Sequence, residues 1–194
     1  EIGSGLVGSE MCIRDSCYYM PFVFMVGNAI AQSAQPIISY NYGTANYERI
    51  ATAEKIALRT AIVSGALAMA CFTFIPQIMV GLFLDVSTPA AQLAISGLPY
   101  FAAGFVCFIV NLTAIGYFQS IENVKAATVF ALLRGFVFLI PVFLIMPQLF
   151  GVMGIWLAMP VSEILTTVVI GFYYTAGRRK YKTDTFSQPI TDKA

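Results

Sequence analysis

Five runs of the chain, at about residues 17–40, 52–82, 89–118, 124–147 and 151–175, are each long and apolar enough to cross a bilayer as a helix. A crossing takes about 20 mostly apolar residues, and in lipid every backbone N–H and C=O must be paired inside the protein. The expected fold class is an all-α integral membrane protein with five transmembrane helices. Composition agrees, since 58% of residues are hydrophobic and only 11% charged, against roughly 25% charged in ordinary soluble domains. The mean hydropathy is +0.77.

Local signals refine these runs. The first ends in IISYNYG, where Gly43 and Asn46 break the pattern. The second opens with the amphipathic stretch ATAEKIALRT, expected to project from the membrane, and carries Pro76 near its far end. Thr88 reads as an N-cap and Pro89 as the first helical position of the third run. Pro141 predicts a kink in the fourth. The fifth follows the short turn PQLFG, and residues 178–194 form a tail, first basic (GRRKYK, a stop-transfer anchor) and then polar and disordered (TDTFSQPITDKA).

Lys and Arg accumulate on the cytoplasmic side of membrane proteins. Arg49, Lys55 and Arg59 flank the first turn, Lys125 the third, and Arg178, Arg179, Lys180 and Lys182 follow the last run, while the loops around LFLDVS and PQLFG have neither residue type. A multi-pass chain with a cytoplasmic C-terminus is expected, with Cys17 near the extracytoplasmic end of the first helix.

Residues 1–16 stand apart from this pattern. In GLVGSEMCIRDS, Gly5 to Ser16, the apolar residues Leu6, Val7, Met11 and Ile13 share no helical face, and no basic region precedes an apolar one as in a signal peptide. In one reading frame the stretch instead resembles a translation of the adapter ligated to DNA in transposon-based sequencing libraries. Residues 1–16 are therefore expected to be non-native, with residues 17–177 a partial transmembrane lobe that begins in mid-gene. An odd number of spans fits such a truncated chain.

The composition also limits the chemistry. Histidine is absent, which removes the commonest general base and metal ligand, so neither a metal site nor a cofactor is expected. The net charge of +1 does not suggest a nucleic-acid partner. Cys71 and Cys107 lie deep in apolar runs, Cys17 at the edge of one and Cys12 in the adapter-like segment; with no CxxC spacing they read as small apolar side chains. An intramembrane enzyme would need a nucleophile with a base or two close aspartates, and the spans contain no His and no Asp, so no enzymatic activity is expected.

Three groups of residues could carry function. Asn28, Gln32 and Gln35 recur at i, i+4 and i+7, placing three amides on one face of the first helix, as interhelical hydrogen-bonding groups or as ligand contacts. Pro36 follows them and is expected to bend or loosen the helix. In the third run Gly97, Tyr100, Gly104, Cys107 and Asn111 make a small and polar stripe, either lining a cavity through Tyr100 and Asn111 or admitting a close neighbour. The strongest signal is a pair of charges within spans, Arg134 and Glu163. An isolated charge at bilayer depth costs at least about 2.5 kcal/mol, so such groups pair or face water. Arg134 lies about 15 Å from the cytoplasmic start of its helix and Glu163 about 18 Å from the cytoplasmic end of its own. On consecutive antiparallel helices the two sit at nearly one level, which predicts a structural or gating ion pair; a proton-carrying carboxylate is the sharper alternative.

QSAQPIISYNYGTANYERI, then YFQSIENVKAATVFALLRGFVFLIPVFLIMP and FGVMGIWLAMPVSEI, together resemble the multidrug and toxic compound extrusion (MATE) transporters, in particular their bacterial multidrug-resistance branch. The resemblance covers about residues 18–175. It implies a protein of twelve transmembrane helices in two lobes, of which this chain would supply helices eight to twelve, in the bacterial inner membrane. Such a protein exports cationic, amphipathic compounds in exchange for Na+ or H+, so the implied partners are the bilayer, a missing N-terminal lobe of the same polypeptide and a small cationic or amphipathic substrate. Gln35 and Pro36 match the family's QP, and Glu163 falls where related sequences carry an acid. Some branches place a coupling carboxylate in the tenth helix, but LPYFAAGFVCFIVNLTAIGYF contains no acid. The fragment alone is expected to be inactive. Rival expectations are a lipid-linked saccharide flippase of the same superfamily, which would need a more strongly charged cavity than Arg134 alone provides, and a non-transporting membrane scaffold.

Overall fold

The computed structural model describes residues 19–81 and 85–187. The adapter-like segment, Cys17 and residues 188–194 lie outside the described residues. The helices are α1 (Tyr19–Gly43), α2 (Tyr47–Phe74), α3 (Pro76–Gly81), α4 (Pro89–Ala102), α5 (Phe105–Ser120), α6 (Val124–Leu132), a π-helical stretch over Leu133–Phe138, α7 (Leu139–Phe150) and α8 (Val152–Ser187). The molecule is an all-α membrane protein. Helix α5 is its centre, packed against α1, α2, α6 and α8.

The turns are specified locally. After α1, the Asn46 N–H bonds the Asn41 carbonyl (2.9 Å) and the Ala45 N–H that of Tyr42 (3.0 Å), with Ala45 at φ 54°. After α5 the same pair recurs, from Asn123 to Phe118 (3.0 Å) and from Glu122 to Gln119 (3.1 Å), with Glu122 at φ 61°. Both are Schellman closures that satisfy carbonyls left over at a helix C-terminus. Each is followed by an asparagine cap, Asn46 accepting from the Arg49 N–H and Asn123 from that of Ala126, both at 3.3 Å. Thr88 caps α4 through the Ala91 N–H (3.3 Å), with Pro89 at its start, as the sequence predicts.

Prolines decide where the spans differ from expectation. The second run ends at Phe74, because Pro76 opens the separate helix α3. The third is not one helix: α4 and α5 meet at 53°. Pro99 withdraws a donor from the last turn of α4, and the Gly104 N–H closes that turn on the Phe101 carbonyl (3.2 Å). By contrast, α1 runs through Pro36 without interruption. The last helix extends past the expected end near 175 to Ser187, into the tail read as disordered; between Gly177 and Ser187 it holds no proline or further glycine to stop it.

Among the described residues, three helical segments are long and apolar enough to span a membrane, Tyr47–Phe74, Val124–Phe150 and Met153–Ala176, with the bent α4–α5 pair a fourth. The fifth expected span, α1, is long enough at 25 residues, but Asn28, Gln32 and Gln35 lower its hydropathy.

Among the described residues two apolar clusters hold the helices together. One surrounds the α4–α5 bend, with Phe105, Leu98 and Ile109 buried among Val23, Ala61 and Met159. The other lies towards the Ile121–Asn123 turn, where the Phe118 and Phe130 rings (5.3 Å between centroids) both meet Tyr173. Lipid removes the hydrophobic drive between helices, so close backbone approach matters most. A Cβ at Gly65 would lie 2.8 Å from the Val106 Cα, and one at Gly104 2.9 Å from the Pro160 Cα.

Candidate functional site

Glu163 lies on α8 one turn after Pro160 and is 4% exposed. Its carboxylate is held from two sides. The Arg134 Nε–H donates to Oε1 (2.8 Å), and the Asn111 amide of α5 donates to Oε2 (2.8 Å) and to the Glu163 main-chain carbonyl (3.0 Å). Thr167, one turn further along α8, donates to Asn111 Oδ1 (3.0 Å) and to the Glu163 carbonyl (2.9 Å). The Arg134 guanidinium also sits 4.2 Å from the centroid of the Phe108 ring, a cation–π contact that strengthens where water is excluded. Arg134, Glu163, Asn111, Thr167 and Phe108 thus form one node joining the fourth expected run, α5 and α8.

Arg134 occupies the second position of the π-helical stretch. Pro141 explains that stretch. A proline has no N–H and its ring crowds the carbonyl four residues earlier, here Val137, and a wider turn relieves the crowding. The kink expected at Pro141 takes the form of a π-turn just before it. That turn presents Arg134 to α8.

The stripe on the third run meets α8 along its length. A Cβ at Gly97 would run into the Trp156 indole, Gly104 lies against Pro160, and Asn111 binds Glu163. This is close packing with one polar contact. Tyr100 points elsewhere and is 45% exposed, so the bend separates it from Asn111. Cys107 is half-buried. Of the three amides on α1, Gln35 donates to Gln119 of α5 (3.2 Å), Asn28 is half-buried and Gln32 is exposed; the structure does not bring them together with Glu163.

Residues that sequence reading passed over complete the arrangement. Thr167 could have been found, because it stands four residues from Glu163 on the same helical face. Phe108 and the Glu54–Tyr174 pair (2.7 Å) carried no such signal, since α2, α5 and α8 meet only in the fold. A cavity of about 160 Å³ lies between α1, α2, α5 and α8, reaching from Asn111 and Thr167 at one end to Glu54 and Tyr174 at the other. Among the described residues no three Cys, Asp or Glu side chains converge, so the node offers one carboxylate to a cation.

The family model described as MatE matches residues 19–145. A solved structure of the MATE multidrug transporter DinF-BH, in complex with a ligand, is similar, with a TM-score of 0.73 and 28% sequence identity over 82% of this chain. The chain spans 35% of the length of that structure. Among curated proteins no match is found.

Proposed function

The chain belongs to the MatE family, and from that premise we propose that it supplies helices eight to twelve, the larger part of the second lobe, of a bacterial drug exporter. The carrying observation is the fold shared with the MATE multidrug transporter at 28% identity, over about a third of that protein's length. In this reading the complete polypeptide has twelve transmembrane helices, lies in the inner membrane with a cytoplasmic C-terminus, and moves cationic or amphipathic compounds outward against Na+ or H+. It works by alternating access, in which cation binding changes the relative stability of inward- and outward-facing states.

The Arg134–Glu163 pair has a place in this scheme. Two helices joined by a desolvated ion pair move as one unit, and a cation that takes up the carboxylate would release Arg134 from it. In this reading Asn28, Gln32, Gln35 and Tyr100 contact substrate where the missing lobe would complete the binding cavity, while Asn111 acts within this lobe. The five helices alone carry only part of the binding cavity, so the fragment is inactive by itself. The test is drug resistance of a hypersensitive bacterial strain expressing either residues 17–194 or the full source gene. Resistance from the full gene alone is expected; equal resistance from the short form would refute the reading.

A further inference from the structure

We propose that the groove between α1 and α2, at the end where the two helices join, binds a zwitterionic phospholipid with a primary-amine headgroup, of the phosphatidylethanolamine class. The proposal rests on the membrane fold and not on the exporter reading. The groove has a volume of about 680 Å³ and is lined from Ile30 to Asn41 on α1 and from Asn46 to Thr60 on α2. Its length matches one leaflet of a bilayer. From Ile30 to Asn41, and again from Arg49 to Thr60, each helix rises about 16 Å, and half of a hydrocarbon core of about 30 Å is about 15 Å.

Below its mouth the groove presents hydrocarbon. Ile37 and Ile56 line it from the two sides, and both are exposed. The hydroxyls in its walls are turned back onto their own helices: Ser33 donates to the Ile30 carbonyl (2.9 Å), Thr52 to that of Glu48 (2.9 Å) and Thr60 to that of Ile56 (3.0 Å). Asn41 does the same with the Ile37 carbonyl (2.7 Å). These donors are occupied within the backbone, which suits the walls to an acyl chain rather than to a polar solute. Between the larger side chains, Ala34, Ala53 and Ala57 leave the room that such a chain fills.

The groups left for recognition stand at the mouth. Glu48 and Arg49 are adjacent in the first turn of α2, and both are exposed and line the groove. Among the described residues neither has an ion-pair partner. A purely anionic headgroup would be opposed by Glu48 and a purely cationic one by Arg49, whereas a headgroup carrying both signs is matched by the two together. The guanidinium fork takes a phosphate through two N–H donors. The carboxylate accepts from a primary ammonium, which has three N–H groups to give. A quaternary choline carries the same charge but has no N–H, so it forgoes that hydrogen bond.

The experiment is photolabelling of the full polypeptide encoded by the source gene, in phosphatidylcholine vesicles doped with one phospholipid bearing a diazirine on its acyl chain. The doped lipid is phosphatidylethanolamine, phosphatidylcholine or phosphatidylglycerol with identical chains, and labelled peptides are mapped by mass spectrometry. Labelling within residues 30–60 is expected to be at least threefold higher with the ethanolamine lipid than with the other two. Glu48→Gln should abolish that preference, Arg49→Gln should lower labelling by all three lipids, and Ala53→Leu should block it by narrowing the groove. Labelling of the exposed α7 residues Phe143 and Leu144, which face away from these substitutions in sequence and fold, should stay constant and so report an intact protein. Equal labelling by the three lipids, a preference for phosphatidylglycerol, or no response to Glu48→Gln would overturn the headgroup assignment. No label in the groove while α7 is labelled, or no response to Ala53→Leu, would overturn the site itself, the groove then being covered by another part of the polypeptide. None of these readouts needs drug transport, so they remain informative if the exporter reading fails.

Discussion

The Arg134 Nε lies 2.8 Å from Glu163 Oε1, with the two side chains only 15% and 5% exposed. Removing one partner of a buried pair strands the other charge, at a typical cost of about 3–5 kcal/mol, whereas replacing both with apolar groups is often neutral. Arg134→Met is therefore expected to be severely destabilising. Glu163→Gln should also destabilise, because it strands the Arg134 charge and turns its NH2 towards one of the two donors, Arg134 Nε–H or the Asn111 amide. The double variant Arg134→Met/Glu163→Met should recover much of the loss. Thermal unfolding in detergent, arranged as a double-mutant cycle, checks the ordering.

Packing between α4 and α8 makes a sharper test. Gly97→Ala drives a methyl into Trp156, whereas Gly135→Ala meets open space. Overpacking of this kind costs about 1–3 kcal/mol. The unfolding midpoint should fall for Gly97→Ala and hold for Gly135→Ala.

The two Schellman turns place Ala45 and Glu122 in the left-handed region. There a side chain costs roughly 1–2 kcal/mol that glycine avoids. Ala45→Gly and Glu122→Gly should each stabilise the protein by about 1 kcal/mol, and the double variant should show the sum in a denaturant titration. Additivity is expected because the two turns share no partner.

The main-chain N–H and then the hydroxyl of Ser87 donate to Asp85 (3.0 and 2.8 Å), holding its carboxyl below the ordinary aspartate value. A carboxyl lowered by folding adds its stability above the unfolded pKa and loses it as pH falls through the folded one. Amide exchange at Ser87, corrected for intrinsic rate, should accelerate below the ordinary aspartate range, and Asp85→Asn should remove most of that dependence.

Much of the fold was legible because lipid imposes a simple code. Apolar runs gave helices, Thr88 with Pro89 gave the start of α4, and depth counting gave the level at which Arg134 meets Glu163. Where reading failed, a local residue had two possible outcomes that only neighbours decide. Pro36 is absorbed within α1, Pro76 separates two helices, and Pro141 yields a π-turn; the same ring does three different things. Asn111 was visible as a polar residue in an apolar run. Its partner was not, since Glu163 lies 52 residues away in sequence. Nor could Glu54 be paired with Tyr174 across 120 residues.

The bend between α4 and α5 and the proline of α8 fall at one level, with Gly104 set against Pro160. The bend interrupts one helix, and Pro160 withdraws a main-chain donor from the other beside it. On one side of them Gly97 is seated against Trp156, and on the other Asn111 holds Glu163. The break in one helix and the missing donor in the other thus sit back to back where Gly104 lets their backbones touch, with a fixed contact on either side.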